Sequence, residues 1–239
     1  MKINYVVAFY ITDDKVGIGR NNVYHKIDKF YAVKHHTSIL KKTFMPFVEK
    51  ATFVINRSEC VQEGEVEEVV KDFKTKNQVD FIDIEIKYRD NWGMSYGAWE
   101  YHIRQSLDMY DYYFLTEDDY VANITTNSKF YEPFLEKIIQ DPNNAIVCGL
   151  YTNHPAISYG LYSSKACKDV LNHKGEIFKS YNERLKSGNL PYHEWQAYYH
   201  HHFVDLKFNM KDIRDTSTVA FRTKCYGVTE RYLPMLPLL

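Results

Sequence analysis

Strand-like apolar runs alternate with helical stretches through the first half of the chain, and this alternation constrains the fold more than any other feature. The strand-like runs lie at residues 3–11, 51–56, 80–88 and 111–116, and the helical patterns at residues 28–49, 65–76 and 95–107. The first run is rich in β-branched and aromatic side chains, which is typical of a strand buried on both faces. A βαβαβαβ series predicts an α/β fold, with a mostly parallel sheet flanked by helices.

The second half of the chain is less regular but continues the mixture of strands and helices. We predict a helix at residues 130–140, strands at 145–151 and 156–162, and helical segments at 164–172, 175–187 and 192–204. No repeat, low-complexity tract or Gly/Ser linker divides the 239 residues. The sequence therefore predicts a single domain.

Charge and cysteine usage exclude several classes of function. Thirty Lys and Arg residues against 31 Asp and Glu residues give a net charge of −1, so no basic excess favours a nucleic-acid partner. Cys60, Cys148, Cys167 and Cys225 are scattered, which argues against a zinc ribbon or a dense disulfide framework. The chain shows no signal-peptide pattern and no apolar run of about 20 residues. We expect a soluble cytoplasmic protein without a transmembrane segment.

Polar residues follow each of the four predicted strands. They are Thr12-Asp13-Asp14, Asn56-Arg57-Ser58-Glu59, Arg89-Asp90-Asn91-Trp92-Gly93 and Glu117-Asp118-Asp119. Ligands of open α/β sheets bind beyond the carboxyl ends of the strands. We therefore expect these four groups to converge on one crevice.

The acidic triplet after the fourth strand is the most informative of these groups. Three adjacent carboxylates at the end of a buried strand repel one another and are costly to desolvate, and a divalent cation relieves that repulsion. Hard oxygen ligands favour Mg²⁺ or Mn²⁺, which commonly complete their coordination with phosphate oxygens. Glu117, Asp118 and Asp119 thus indicate a metal–diphosphate site, with a solvated acidic turn as the alternative.

An Asn/Gly-rich turn, DNWGMSYGAW, opens a predicted helix, and the next strand ends in DYYFLTEDDYV. This stretch, residues 90–121, resembles the donor-binding half of family 2-like glycosyltransferases of the GT-A fold. Glu117-x-Asp119 matches the DxD motif of that family with Glu in its first position. The resemblance covers roughly residues 3–125. It implies a Rossmann-like GT-A domain with a donor half at about 1–125 and an acceptor half at about 126–239. The residues INRSE after the second strand differ from the acidic residue and Ser that the family usually has there. Which nucleotide base the site recognises is therefore left open.

The resemblance also implies roles for individual residues. Asp119 and Glu117 would hold Mn²⁺ or Mg²⁺ at the donor diphosphate, and Asp118 would lie near the ribose or the donor sugar. The implied donor-binding residues are Tyr10, Thr12, Arg57, Asp90, Trp92, Gly93, Tyr96, Gly97 and Asp118. For Gly93 and Gly97, a tight turn and close helix packing are a compatible alternative. Tyr159 and Gly160 would face the acceptor.

A further carboxylate, Glu194, follows Gly188-Asn189-Leu190-Pro191, where the resemblance places the general base of inverting enzymes. An exposed glutamate favoured by a helix N-terminus is the alternative. The zincin motif HExxH is absent because Ala197 stands at its second histidine position. The run His200-His201-His202 points in three directions around a helix, so we expect mainly surface and packing roles.

The resemblance implies a metal-dependent glycosyltransferase that moves a sugar from a UDP- or GDP-linked donor to a hydroxyl of a glycan or glycoconjugate acceptor. One alternative is a sugar nucleotidyltransferase, although Gly17-Ile18-Gly19-Arg20 lies several residues late for the Gly-rich loop of that class. The other alternative is a non-catalytic carbohydrate-binding protein on the same fold. Neither a P-loop nor a GxSxG hydrolase motif is present.

Overall fold

A computed structural model describes residues 1–13, 16–18, 24–26, 28–118, 120–121, 131–151, 154–179, 200–213 and 221–222. The strands are β1 (Ile3–Tyr10), β2 (Val16–Ile18), β3 (Tyr24–Lys26), β4 (Val48–Asn56), β5 (Asp83–Arg89), β6 (Tyr112–Glu117), β7 (Tyr120–Val121), β8 (Asn144–Tyr151), β9 (His154–Ser163), β10 (Asn209–Ile213) and β11 (Phe221–Arg222). The helices are α1 (Tyr31–Ile39), α2 (Glu65–Asn77), α3 (Met94–Ser106), α4 (Glu132–Gln140), α5 (Ser164–Lys174) and α6 (His201–Asp205).

Seven strands form one sheet in the order β10-β8-β9-β6-β1-β4-β5. The pairs β1–β4, β1–β6, β4–β5 and β8–β10 are parallel, and β9 is antiparallel to both of its neighbours. Consequently β1, β4, β5 and β6 all end at the same edge of the sheet. The predicted fold class, an α/β fold with a mostly parallel sheet flanked by helices, is confirmed.

The central strand β1 is buried on both faces. Tyr5, Val7 and Phe9 join one core cluster, whereas Val6 and Ala8 join the other. Because side chains alternate along a strand, the continuous apolar run of β1 supplies both layers at once. Buried residues of α1, α2 and α4 belong to the first cluster, and those of α3, α5 and α6 belong to the second.

The predicted bounds of most helices and strands agree with the structure to within a few residues, but the prediction for the stretch after α1 is wrong. The predicted helix at 28–49 ends at Ile39, turns follow, and β4 begins at Val48. Met45 in this turn region is 1% exposed, and Phe44 packs against the same core. Turn residues can thus supply apolar spacing that looks helical.

The carboxyl-terminal part of the chain also differs from the prediction. Residues 175–179 are not helical, and within the predicted helix at 192–204 only residues from His201 onwards are seen to be helical, residues 180–199 lying outside the described part. Strand β10, which pairs with β8, was not predicted. Among the described histidines here, His200 is fully buried, whereas His201 faces Asp205 and His202 faces Glu176.

Replacing Gly160 with alanine should lower the free energy of unfolding by about 2–3 kcal/mol, measured by urea denaturation. Gly160 lies in β9 between Leu115 and Cys148, and a Cβ atom there would lie 2.6 Å from the Val147 carbonyl oxygen. The control is Gly64→Ala, whose Cβ meets no atom within 4 Å and whose positive φ of 94° should cost about 1 kcal/mol. Equal losses in both variants would show that β8 yields to the methyl group.

Candidate functional site

The carboxyl ends of β1, β4, β5 and β6 form one edge of the sheet. Tyr10 pairs with Asn56, Asn56 pairs with Arg89, and Ala8 pairs with Glu117, so the polar groups after these strands are neighbours in space. The N-terminus of α3 lies at the same edge, directly after the end of β5. The predicted convergence of the strand ends is therefore present in the described residues.

Asp118 is held at this edge by contacts through its backbone and its side chain. Its backbone N–H donates to the Ala8 carbonyl at 3.0 Å, and its carboxylate Oδ2 accepts the Tyr10 N–H at 3.1 Å. Its carbonyl oxygen lies 3.2 Å from His36 Nε2. These contacts attach the end of β6 to β1 and α1, and they fix a carboxylate at the strand end.

Glu117, the last residue of β6, is half-buried beside the first turn of α3. The Ser95 hydroxyl donates to Glu117 Oε1. A helix N-terminus carries partial positive charge, so it favours an anionic group at this position. The site therefore combines carboxylates from the end of β6 with the positive end of a helix.

Trp92 lies in the turn between β5 and α3, with 57% of its surface exposed. The Arg89 guanidinium lies 4.2 Å from its ring centroid, and Arg89 Nη2 donates to the Trp92 carbonyl at 2.7 Å. Arg89 Nη1 donates to Asn56 Oδ1 at 3.0 Å. Arg89 is itself 3% exposed, and this burial lowers the pKa of its guanidinium. Trp92 is thus an exposed aromatic ring that packs against a buried cation.

The sequence reasoning did not single out Arg89 or His36. Arg89 stands in the polar run after β5, so its position was visible, but its partner Asn56 lies 33 residues away. His36 lies in a helix without any local motif, and its contact with Asp118 spans 82 residues. Nothing in the sequence alone signalled either contact.

Arg57 and Asp90, two predicted donor-binding residues, bind each other. Arg57 Nη1 donates to Asp90 Oδ1 at 3.1 Å, and its Nη2 donates to Glu63 Oε1 at 2.5 Å. The hydrogen bond with Glu63 is the largest contribution that raises the pKa of Arg57, followed by the one with Asp90. All three side chains are exposed, so these pairs add little stability and can rearrange around a ligand.

Tyr10 and Thr12, which flank Ile11 at the end of β1, differ in exposure. Tyr10 is 41% exposed, whereas Thr12 is 7% exposed. Within the part of the chain that the structure describes, the buried Thr12 hydroxyl has no hydrogen-bond partner. Buried hydroxyl groups are normally paired, so this one is a candidate to meet a ligand or a water molecule.

Two predicted residues occupy packing positions. Tyr96 is 8% exposed, and its ring packs against Trp99, Phe178 and His200 in the core on the α3 side of the sheet. This burial gives Tyr96 a packing role, and its contact with a donor stays a prediction. Gly160 makes close contact with the backbone of β8, so the close approach that it permits is between strands.

Gly93 and Gly97, the two predicted glycines of the turn, are each favoured for a different structural reason. Gly93 has φ of 67° at the start of α3, a left-handed conformation that glycine adopts at no steric cost. A Cβ atom on Gly97 would lie 2.2 Å from the Trp92 carbonyl oxygen. Both observations support the turn and packing interpretation, and neither tests donor contact.

The remaining predicted site residues are Tyr159, Asp119 and Glu194. Tyr159 pairs through its backbone with Thr116, one residue before Glu117, so its strand passes the acidic edge. Asp119 and Glu194 lie outside the described residues, so their roles stay predictions.

Among the residues that are described, no three His, Cys, Asp or Glu side chains are grouped to hold a metal ion. No helix in the described ranges is long and apolar enough to cross a membrane.

No protein-family model and no curated protein matches the chain. Among solved structures it is similar to a protein proposed to be a nucleotide-diphospho-sugar transferase of Desulfovibrio desulfuricans G20. The TM-score is 0.50 at 8% identity, and the match covers 89% of this chain and 79% of that chain. This likeness shows the fold alone, an α/β domain with a mostly parallel sheet flanked by helices.

Two further solved structures are similar at lower TM-scores. One is a mannosyltransferase of Pyrobaculum calidifontis in complex with GDP-Man and Mn²⁺, with a TM-score of 0.49, 12% identity and coverage of 92% of this chain and 56% of that chain. The other is the 4-diphosphocytidyl-2C-methyl-D-erythritol synthase of Anaerococcus prevotii DSM 20548, with a TM-score of 0.44, 12% identity and coverage of 93% and 91%.

Proposed function

We propose that the protein is a metal-dependent glycosyltransferase that moves a sugar from a nucleotide-diphosphate sugar to an acceptor hydroxyl. The observation that carries this proposal is the position of Glu117 and Asp118. Their carboxylates stand at the end of β6, at the edge of the sheet where four strands end, beside the N-terminus of α3. In open α/β sheets this edge is where ligands bind, and a helix N-terminus favours phosphate groups.

The chemistry of the donor set fits Mn²⁺ or Mg²⁺, because carboxylate oxygens are the ligands that these ions prefer. In the proposed site Asp119 and Glu117 hold the cation. When bound, the cation neutralises negative charge on the diphosphate that leaves. Asp118, anchored through Tyr10 and His36, lies next to the ribose or the donor sugar.

The residues around the carboxylates bind the rest of the donor. The exposed face of Trp92 offers a flat apolar surface for a base or a sugar, and Arg89 keeps that ring in place. The buried Thr12 hydroxyl provides a hydrogen-bonding group, and Tyr10 a second exposed ring. If the reaction inverts the anomeric configuration, Glu194 accepts the proton of the attacking hydroxyl.

The proposal predicts that nucleotide binding depends on a divalent cation. UDP and GDP are titrated into the protein by calorimetry with and without Mn²⁺. We expect one of them to bind at least about tenfold more tightly with the metal, a difference of about 1.4 kcal/mol. Asp119→Asn should remove this gain because it removes the charge that holds the cation.

The matched control is Asp108→Asn. Asp108 is an exposed aspartate that precedes β6 and therefore lies at the opposite edge of the sheet, where it pairs with Lys168. It should leave nucleotide binding unchanged. Metal-independent binding, or no binding of any nucleotide tested, would contradict the proposal. Release of pyrophosphate from a nucleoside triphosphate would identify a nucleotidyltransferase, and metal-free glycan binding that ignores Asp119→Asn would identify a binding protein.

A further inference from the structure

We propose that His36 is a positioning residue for the acidic segment Glu117-Asp118-Asp119. Its imidazole binds the Asp118 carbonyl and so orients the segment, while Tyr5 binds the other ring nitrogen. This inference rests on the proposed function, because the groups it orients are those proposed to bind the metal and the donor. It assigns a role to a buried side chain of α1 that contacts neither ligand.

The contacts form a continuous chain from the core to the edge of the sheet. The Tyr5 hydroxyl lies 3.0 Å from His36 Nδ1, and His36 Nε2 lies 3.2 Å from the Asp118 carbonyl oxygen. Tyr5 is 1% exposed and His36 is fully buried. Water therefore competes little with the hydrogen bond between Tyr5 and His36, and a buried partner left unpaired would be costly.

The direction of each hydrogen bond follows from the chemistry of its partners. A carbonyl oxygen can only accept, so His36 Nε2 carries a proton and donates to Asp118. Burial raises the pKa of Tyr5 well above its ordinary value, so its hydroxyl keeps its proton and can donate to Nδ1. Both contacts are satisfied by one neutral form of the imidazole, with hydrogen on Nε2 and a lone pair on Nδ1.

Packing holds the rings of Tyr5 and His36 in place. The edge of Phe9 meets His36 with 5.5 Å between ring centroids and 86° between planes. Tyr5 stacks on Phe114 of β6 at 5.6 Å and 18°. Side chains held by packing and by hydrogen bonds lose little freedom when a ligand binds, and this is how supporting residues pre-organise a site.

Asp118 is where this support takes effect. Its carbonyl belongs to the planar peptide bond that links it to Asp119, so the hydrogen bond from His36 acts on the direction in which the chain leaves Asp118. Two further contacts, with Ala8 and Tyr10 of β1, hold the same residue through its N–H and its carboxylate. Without His36, the carbonyl would lose this hydrogen bond, which restrains the orientation of the peptide.

The test compares three variants by calorimetry with Mn²⁺ and the preferred nucleotide. His36→Phe keeps a buried ring but removes the donor. We expect about tenfold weaker nucleotide binding, the size of effect that supporting hydrogen bonds have around a metal ligand, because Asp118 lies between the proposed ligands Glu117 and Asp119. His36→Gln should restore most of the affinity, because its side-chain amide can donate near the position of Nε2. His102→Phe is the matched control, a second buried histidine, 1% exposed, in the later part of α3.

Each outcome separates the possible roles. Unchanged affinity in His36→Phe, or an equal loss in His102→Phe, would overturn the role of His36 while the wild-type protein still bound nucleotide. Absence of metal-dependent binding by the wild-type protein would instead overturn the proposed function, and this role with it. Should His36→Phe fail to fold, ¹⁵N NMR of the ligand-free wild-type imidazole decides: a proton on Nε2 is expected, and a proton on Nδ1 would overturn the inference.

Discussion

Replacing Glu100 with alanine is expected to lower the free energy of unfolding by about 3 kcal/mol. Glu100 lies in α3 and is 5% exposed, and its Oε2 accepts the backbone N–H groups of Ile177 at 3.0 Å and Phe178 at 3.1 Å. Both donors belong to buried residues, and each buried N–H that loses its partner costs about 1–3 kcal/mol. Arg104, which donates to Oε1 at 2.8 Å, loses its acidic partner as well.

Urea unfolding followed by circular dichroism measures this loss, and amide hydrogen exchange locates it at Ile177 and Phe178. Glu100→Gln keeps an acceptor oxygen and should lose clearly less stability than the alanine variant. The control is Glu68→Ala, because Glu68 is an exposed glutamate of α2 and its loss should change stability by no more than about 0.5 kcal/mol. A Glu100→Ala protein within 1 kcal/mol of the wild type would mean that water reaches the two amides.

The consequence of this anchor reaches beyond stability. Glu100 attaches the segment after α5 to the helix whose first turn meets Glu117. Arg104 Nη2 adds a hydrogen bond to the Gly175 carbonyl at 2.6 Å. A single helix thus supports the acidic strand end at its start and the segment after α5 further along. The proposed site and the carboxyl-terminal part of the chain therefore share one rigid element.

The sequence predicted well those segments whose environment is uniform along their length. Residues 3–9 of β1 and residues 51–56 of β4 are buried throughout, so an unbroken apolar run identifies them without knowledge of their partners. Helix α2 has Glu at its start and Lys at its end, a pattern that depends on the helix dipole alone. The acidic strand end of β6 was visible for the same reason, because its carboxylates follow an apolar run.

The elements that the sequence missed depend on distant partners. Strand β10 is short and carries polar residues, and its pairing with β8 joins residues about 65 apart in the chain, such as Asn209 and Asn144. No local periodicity marks such a pairing. The apolar residues of the turn before β4 were read as helix because a core accepts side chains from turns as readily as from helices.

The candidate site shows the same division. The position of Glu117 and Asp118 followed from the strand pattern, but the contacts that hold them did not. Tyr96 was predicted to bind the donor because the resemblance places the turn and the start of this helix at the donor. In the structure that ring is buried and packs against Trp99. Which face of a helix is buried depends on its packing, and a short motif does not specify it.

Replacing Gly97 with alanine is expected to destabilise the protein by about 3 kcal/mol, although alanine is the better helix former by about 1 kcal/mol. A Cβ atom on Gly97 would lie 2.2 Å from the Trp92 carbonyl oxygen and 3.1 Å from Arg89 Nη1. The clash is with a backbone atom that Arg89 also binds, so relief requires the turn itself to move. Steric cost therefore outweighs helix propensity at this position.

Urea denaturation measures the loss, and tryptophan fluorescence reports whether the exposed Trp92 changes its surroundings. Gly175→Ala is the control: its Cβ meets no atom within 4 Å, so only its φ of 79° opposes the substitution, at about 1 kcal/mol. A Gly97→Ala protein as stable as the wild type would show that the turn moves freely. It would then be too loose to hold Trp92 as the stacking surface that the proposed donor site requires.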